Sequence, residues 1–213
     1  MKHFNLLNKV LNFSAERYFK TAGDLFVYEG DYESALSMVD KTLDLDPNNV
    51  RALVLRGDIL FCLNRDVEAL QMLNQALKLD ANLPQAHFLL GEMAIGRGQV
   101  DTAIAEFNHE LEIDPGSSMA WYRRGDAYAR KDDCAAAVPS LQRAIWLNTD
   151  FSGPFILLGK CYLKQNNLAN AEGILRNALV LDPQNREAQY LLGRTLAAAG
   201  RKDEANTILD KLK

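Results

Sequence analysis

Apolar residues along this chain recur on two periods at once. Over short stretches they fall three to four residues apart, the spacing of a helix that buries one face. In the stretch 118–151, Met119, Tyr122 and Ala129 mark one such helix, and 135–146 a second. Over the whole chain the pattern returns every thirty-four residues. Phe19, Leu53, Trp121 and Phe155 share one register, and Phe26, Leu60, Tyr128 and Tyr162 another. Val39, Leu73, Phe107, Leu141, Leu175 and Leu209 share a third. Small residues keep the same step: Gly23, Gly57, Gly91, Gly125, Gly159 and Gly193, then Ala35, Ala69, Ala103, Ala137, Ala171 and Ala205. Glycine makes up about 7% of average protein, so six in register by chance has odds on the order of one in ten million. The period predicts one continuous array of repeated units.

Six units follow from it: 16–49, 50–83, 84–117, 118–151, 152–185 and 186–213, the last losing only its closing turn. Each holds two helical patterns separated by turn signals, such as Glu29-Gly30-Asp31, Arg97-Gly98-Gln99, Asn166-Asn167 and Ala199-Gly200-Arg201. Complete units close on an apolar residue and a turn, as in Leu45-Asp46-Pro47 and Ile113-Asp114-Pro115. Proline there biases the preceding residue away from the helix. The expected fold is all-α, a solenoid of antiparallel helix hairpins. Glycine and alanine let helices approach closely, and larger residues fill the space around them. A glycine inside a helix costs about 1 kcal/mol against alanine, offset by the surface that neighbouring units bury. Residues 1–15 are expected to form a capping helix or tail, with Phe4, Leu7 and Leu11 on one face against the first unit.

Composition narrows the function classes. Nearly half of the 213 residues are apolar, enough for a sizeable core. A formal charge of -4 argues against a sequence-independent nucleic-acid binder, which needs clustered Lys and Arg. Cys62, Cys134 and Cys161 are odd in number and have no metal or CxxC spacing. They read as thiols in a reducing compartment, so a cytoplasmic location is expected. No run of eighteen apolar residues exists to span a membrane. Lys2, His3 and Lys9, with no acid before Glu16, have the charge of a targeting helix, but Asn5, Asn8 and Asn12 interrupt its apolar run. His3, His87 and His109 form no metal spacing, and no nucleophile or phosphate-loop motif occurs. Neither catalysis nor a cofactor or metal is expected.

Thirty-four residues, two helices and the set Trp121, Gly125, Tyr128, Ala137, Leu141 and Ala144 resemble the tetratricopeptide repeat family over about residues 16–213. His87 and Gln189 depart from it at the tryptophan position, Thr42 and Glu110 at a small position, and Pro139 lies early in a second helix. The resemblance implies a right-handed superhelix whose first helices line a concave groove. It also implies a non-catalytic scaffold or adaptor that binds a protein or peptide segment in that groove. One groove row would be Lys20, Val54, Phe88, Tyr122, Ile156 and Tyr190, and the next Asp24, Asp58, Glu92, Asp126, Lys160 and Arg194. Arg17 and Arg51 lead a third row, with Gln85, Met119, Gly153 and Glu187; Phe61 and Ile95 lie partly on the same face. Some family members grip a chaperone tail's carboxylate with a Lys/Asn/Asn/Lys/Arg set. Lys20 fits its first position, but Asp24, Leu55, Gln85 and Leu89 do not match, and Asp24 would repel a carboxylate.

Each row has a plain alternative. The aromatics from Phe88 to Tyr190 suit peptide anchoring, because they bury area at low entropy cost; the family also uses tyrosine there without any particular ligand. The acidic row fits a partner basic toward the N-terminal half and acidic toward the C-terminal half. Otherwise its acids pair locally, Arg17 with Asp24 or Arg51 with Asp58, for about 0–1 kcal/mol each. Trp146 and Val180 fall where Asp44, Lys78 and Glu112 stand in other units. They form either an apolar patch on the convex face or ordinary single exposures. A second function class also fits: a structural protein that forms a homo-oligomer, its groove taking the basic N-terminus of a neighbouring copy. RNA binding is disfavoured by the acidic row and the net charge.

Overall fold

The computed structural model describes the backbone of residues 2–212 and the side chains of residues 11–210 and Leu212. Among the described residues there are twelve α-helices and no strands. The first hairpins are α1 (Lys2–Asp24) with α2 (Tyr32–Leu45) and α3 (Val50–Cys62) with α4 (Asp66–Leu79); α5 (Ala86–Gly96) and α6 (Val100–Ile113) follow in the chain. The others are α7 (Ser118–Arg130) with α8 (Cys134–Leu147), α9 (Ser152–Lys164) with α10 (Leu168–Leu181), and α11 (Arg186–Ala198) with α12 (Lys202–Leu209). A π-helical turn, Leu25–Glu29, continues α1. Among the described residues no helix is long and apolar enough to cross a membrane.

One expectation changes at the start of the chain. Helix α1 runs through positions 15 and 16 without a break, so the N-terminal residues extend the first helix of the first hairpin. Ala15 and Ala22 are buried and Leu11 partly so. The side chains of Phe4 and Leu7 lie outside the described residues.

Two compact units share the chain, 1–93 and 94–213, with the boundary inside α5. In the first, α1 packs on α2, α2 on α3 and α3 on α4. Its core centres on Leu53, Ile59, Leu60, Leu73 and Val39. In the second, each helix from α6 to α12 packs on the next in turn where α6 meets α7, α7 meets α8, and so on to α11 and α12. There α9 also touches both α7 and α11, which makes the first helices of three hairpins a continuous row.

Two local features explain the thirty-four-residue step. Gly57, Gly125, Gly159 and Gly193 sit against leucines sixteen residues further on. A Cβ on these glycines would lie 2.9, 2.7, 2.5 and 2.6 Å from Leu73, Leu141, Leu175 and Leu209 respectively. The helices of a hairpin therefore cross where only a glycine fits. Gly23 differs, since nothing lies within 4 Å of its absent Cβ. The turn after each first helix supplies the second feature. One residue there has positive φ: Gly30, Asn64, Gly98, Asp132, Asn166 and Gly200, from 56° to 82°. Glycine adopts this left-handed conformation freely, and Asn and Asp tolerate it.

The departures at the tryptophan position preserve one bond. Trp121 Nε1 donates to the Pro115 carbonyl at 2.9 Å, and Gln189 Nε2 to the Pro183 carbonyl at 2.8 Å. His87 Nε2 lies 3.4 Å from the Ala81 carbonyl. Each residue ties a first helix to the turn before it. Asn49, Ser117 and Asn185 cap α3, α7 and α11 by accepting from the backbone N–H three residues on. Thr42 is buried and returns its hydroxyl to the Met38 carbonyl at 3.0 Å. Pro139 is exposed and removes only the donor that would reach Ala135, itself exposed.

Candidate functional site

The continuous row α7–α9–α11 carries the second unit's share of the expected face. Tyr190 is half exposed. Tyr122 is partly buried, because Phe151 meets it edge to face with ring centroids 5.0 Å apart. Burial, and then the charge of Asp126, raise the Tyr122 phenol above its ordinary range. Arg123 lies 5.6 Å from the Tyr122 ring centre and Arg194 5.8 Å from that of Tyr190. Ile156, between the two tyrosines in register, is only 8% exposed and packs with Leu175 and Leu192. It holds the row together and offers no free surface, which corrects its expected role as an anchor.

One turn along stand Asp126, Lys160 and Arg194. Asp126 accepts from Arg130 Nε at 2.9 Å. Lys160 is exposed. A cleft of about 120 Å³ lies among Asp126, Arg130, Lys160 and Lys164, with Leu157, Cys134 and Cys161 also lining it. Lys164 is paired with Asp132. Burial pushes the Cys161 thiol up to about 12, helped by the neighbouring Cys134, so it stays protonated at neutral pH. Cationic groups outnumber carboxylates around this cleft.

The first unit presents Arg17, Lys20 and Asp24 exposed on α1. Arg51, from α3, stacks on Phe19 at 4.4 Å and pairs with Glu16 at 3.7 Å. A cleft of about 430 Å³ forms among Phe13, Arg17, Phe19, Lys20 and Arg51; Phe13 is 73% exposed. A second cleft, of about 320 Å³, is lined by Phe19, Arg51, Leu55, Leu83 and Pro84. Val54 lines its wall but is 5% exposed, so like Ile156 it belongs to the core. Asp58 is half-buried; burial raises its carboxyl to about 6. It accepts a long hydrogen bond from Gln85 Nε2 at 3.4 Å. Phe61, Phe88 and Glu92 are partly buried, as is Ile95 in the second unit.

Local pairing does occur on this face, with other partners than the sequence suggested. Arg51 bonds Glu16 on α1, and Asp126 bonds Arg130 one turn forward. Phe13, Arg130, Phe151 and Lys164 escaped sequence reasoning. Phe151 left one signal: Gly153 occupies a row that elsewhere holds Arg, Gln, Met or Glu. A Cβ on Gly153 would lie 2.7 Å from the Phe151 ring, so the glycine makes room for the aromatic that covers Tyr122. Trp146 and Val180, on α8 and α10, are 68% and 78% exposed.

A family model described as tetratricopeptide repeat matches residues 26–93 and 162–213, more than half of the chain. No curated protein sequence matches the chain. Among solved structures, PilF of Pseudomonas aeruginosa is similar with a TM-score of 0.85 at 16% identity, covering 95% of this chain and 92% of that one. PilW, described as a widely conserved type IV pilus biogenesis factor, gives 0.79 at 20% identity over 93% of this chain and 91% of its own. YrrB, described as a TPR protein with an unusual peptide-binding site, gives 0.74 at 22% identity over 81% and 89%. At these identities the likeness is one of fold. Repeat period, hairpin packing and family match agree: the chain belongs to the tetratricopeptide repeat family, whose fold is a scaffold for protein–protein interaction.

Proposed function

We propose that this protein is a non-catalytic adaptor that binds an extended or helical protein segment on the face of its first helices. One observation carries the reading: α9 joins α7 and α11 in one row, and that row exposes Tyr190, Lys160 and Arg194 beside the half-buried Tyr122. Aromatic anchors bordered by charges suit a peptide, since the rings supply area and the charges fix direction. The charges of this row also change sign along it. Asp126 lies on α7, and Lys160 and Arg194 on α9 and α11. The preferred segment is acidic where it meets Lys160 and Arg194. YrrB, of like fold, is described as having a peptide-binding site, which is consistent with this use of the fold. The odd cysteine count favours a cytoplasmic location, and the net charge favours protein over nucleic acid. Affinity capture with the wild-type chain and with Tyr122→Ala/Tyr190→Ala tests the reading. Captured partners are lost in the variant while helicity is kept; identical capture by both would overturn it.

A second reading is self-assembly, with the N-terminal residues of one copy on the first-helix face of another. The cleft beside the 73% exposed Phe13 favours it. Deleting residues 1–13 then dissociates the oligomer, and an unchanged sedimentation profile would rule this out.

A further inference from the structure

The outward side of α8 and α10 carries the most exposed large apolar groups of the second unit. Trp146 is 68% exposed and Val180 78%. Trp146 and Val180 occupy one register on consecutive second helices, both of which pack on α9. On α2, α4 and α6 the same register holds Asp44, Lys78 and Glu112. Exposed positions on the two helices include the small Ala135, Pro139, Ala169 and Gly173, beside Gln142, Asn170, Arg176 and Asn177. Nothing lies within 4 Å of the missing Gly173 Cβ.

The charge of this face is also unlike the rest. Helix α8 contains no carboxylate. Arg143 lies over the Trp146 ring at 4.1 Å and makes no ion pair among the described residues. The single acid of α10, Glu172, is held by both Arg176 and Arg201. The two helices thus carry Arg143 and Arg176 against one carboxylate, on a chain of net charge -4. Scattered exposed apolar residues are ordinary. Two in register on consecutive second helices, with a cation stacked on one and no carboxylate to meet it, are not scattered.

We propose that this outward face binds an acidic amphipathic helix of a partner protein. Its large apolar side chains would cover Trp146 and Val180, and its carboxylates would meet Arg143 and Arg176. The stacked Arg143 supplies charge where Trp146 supplies area, so one spot meets both needs of the ligand. An anionic bilayer gains only about 1 kcal/mol per surface cation, and two arginines are too few to hold one.

The probe is a dye-labelled synthetic helix with leucines at i, i+3, i+4 and i+7 flanked by glutamates, read by fluorescence anisotropy on the full chain. A lysine-flanked version is the control. The glutamate peptide binds, and the lysine peptide binds at least about tenfold more weakly. Trp146→Ala, checked by circular dichroism, weakens binding about tenfold or more. Arg143→Glu inverts the preference between the two peptides. Tyr122→Ala/Tyr190→Ala leaves this binding unchanged, which separates it from the first-helix face. The proposal is overturned by equal binding of both peptides, by no binding below about 1 mM, or by binding that survives Trp146→Ala. Trp146-dependent binding to phosphatidylserine vesicles in place of the peptide would also overturn it. So would self-association that Val180→Glu abolishes, which would make the occupant a second copy.

Discussion

Tyr122 meets Phe151 edge to face, 5.0 Å between ring centroids, across the junction of α7 and α9. The contact joins two hairpins and also half-covers the aromatic that the first-helix row would offer a partner. Phe151→Ala should therefore do two things. It should lower stability by about 0.5–1.5 kcal/mol, the usual worth of such a pair beyond its buried area. It should also free the Tyr122 ring, bringing its phenol back toward the ordinary range. Thermal melting and a tyrosine-resolved NMR titration check both. A Tyr122 phenol that does not move would mean that other neighbours bury it.

The glycines of the array make opposite predictions at two sites. Gly125→Ala places a Cβ 2.7 Å from Leu141, and overpacking of this kind costs about 1–3 kcal/mol. Gly23→Ala meets nothing within 4 Å and gains up to about 1 kcal/mol from helix propensity. Denaturant melts of both variants should shift in opposite directions. Combining Gly125→Ala with Leu141→Ala should cost less than the two changes summed, because they share one contact.

Much of the fold is legible in the sequence. The glycine and leucine registers encode the hairpin crossings, and they were visible as a period because the same contact recurs. The turns of Gly30, Gly98, Asn166 and Gly200 were legible too. Asn64 and Asp132 were not, since an Asn or Asp signals a left-handed residue more weakly than glycine does. The site was less legible. Val54 and Ile156 share a register with Lys20 and Tyr190, yet they are buried while those are exposed. A sequence register assigns a helix face, and residues at its edge fall on either side according to how far the neighbouring helix covers them. The ion pair of Arg51 with Glu16 was hidden for a related reason. Its partner comes from another helix, and spacing along one helix cannot show it.

Asp58 gives the stability a pH dependence. Its carboxyl is raised to about 6 by burial, against 3.8 ordinarily. The folded state thus disfavours the ionised form. Below about pH 4 the group is protonated in both states and costs nothing; the cost grows as pH rises and is complete above about 6. Asp58→Asn should stabilise the protein at pH 7 by about 1–2 kcal/mol, after allowance for solvent screening. It should have little effect at pH 4. Urea melts at the two pH values check this. Equal effects at both would mean that the charge of Asp58 is not what the fold opposes.

The basic end of the first-helix row makes an ionic prediction. Lys160 is exposed beside a cleft where cations outnumber carboxylates. Lys160→Glu with Arg194→Glu should weaken an acidic segment about tenfold or more and flatten the salt dependence of its binding. Helicity should not change, because both side chains are exposed. Isothermal titration at two ionic strengths, with an acidic peptide carrying aromatic residues, reads both effects.

The proposed binding of a partner on the first-helix face is tested most directly by quantitative mass spectrometry of proteins captured from native lysate by the wild-type chain and by Tyr122→Ala/Tyr190→Ala, with circular dichroism confirming equal helicity. Loss of the principal partner by about tenfold or more in the variant is the predicted result. Capture of the same partner in equal amount by both chains would contradict the account.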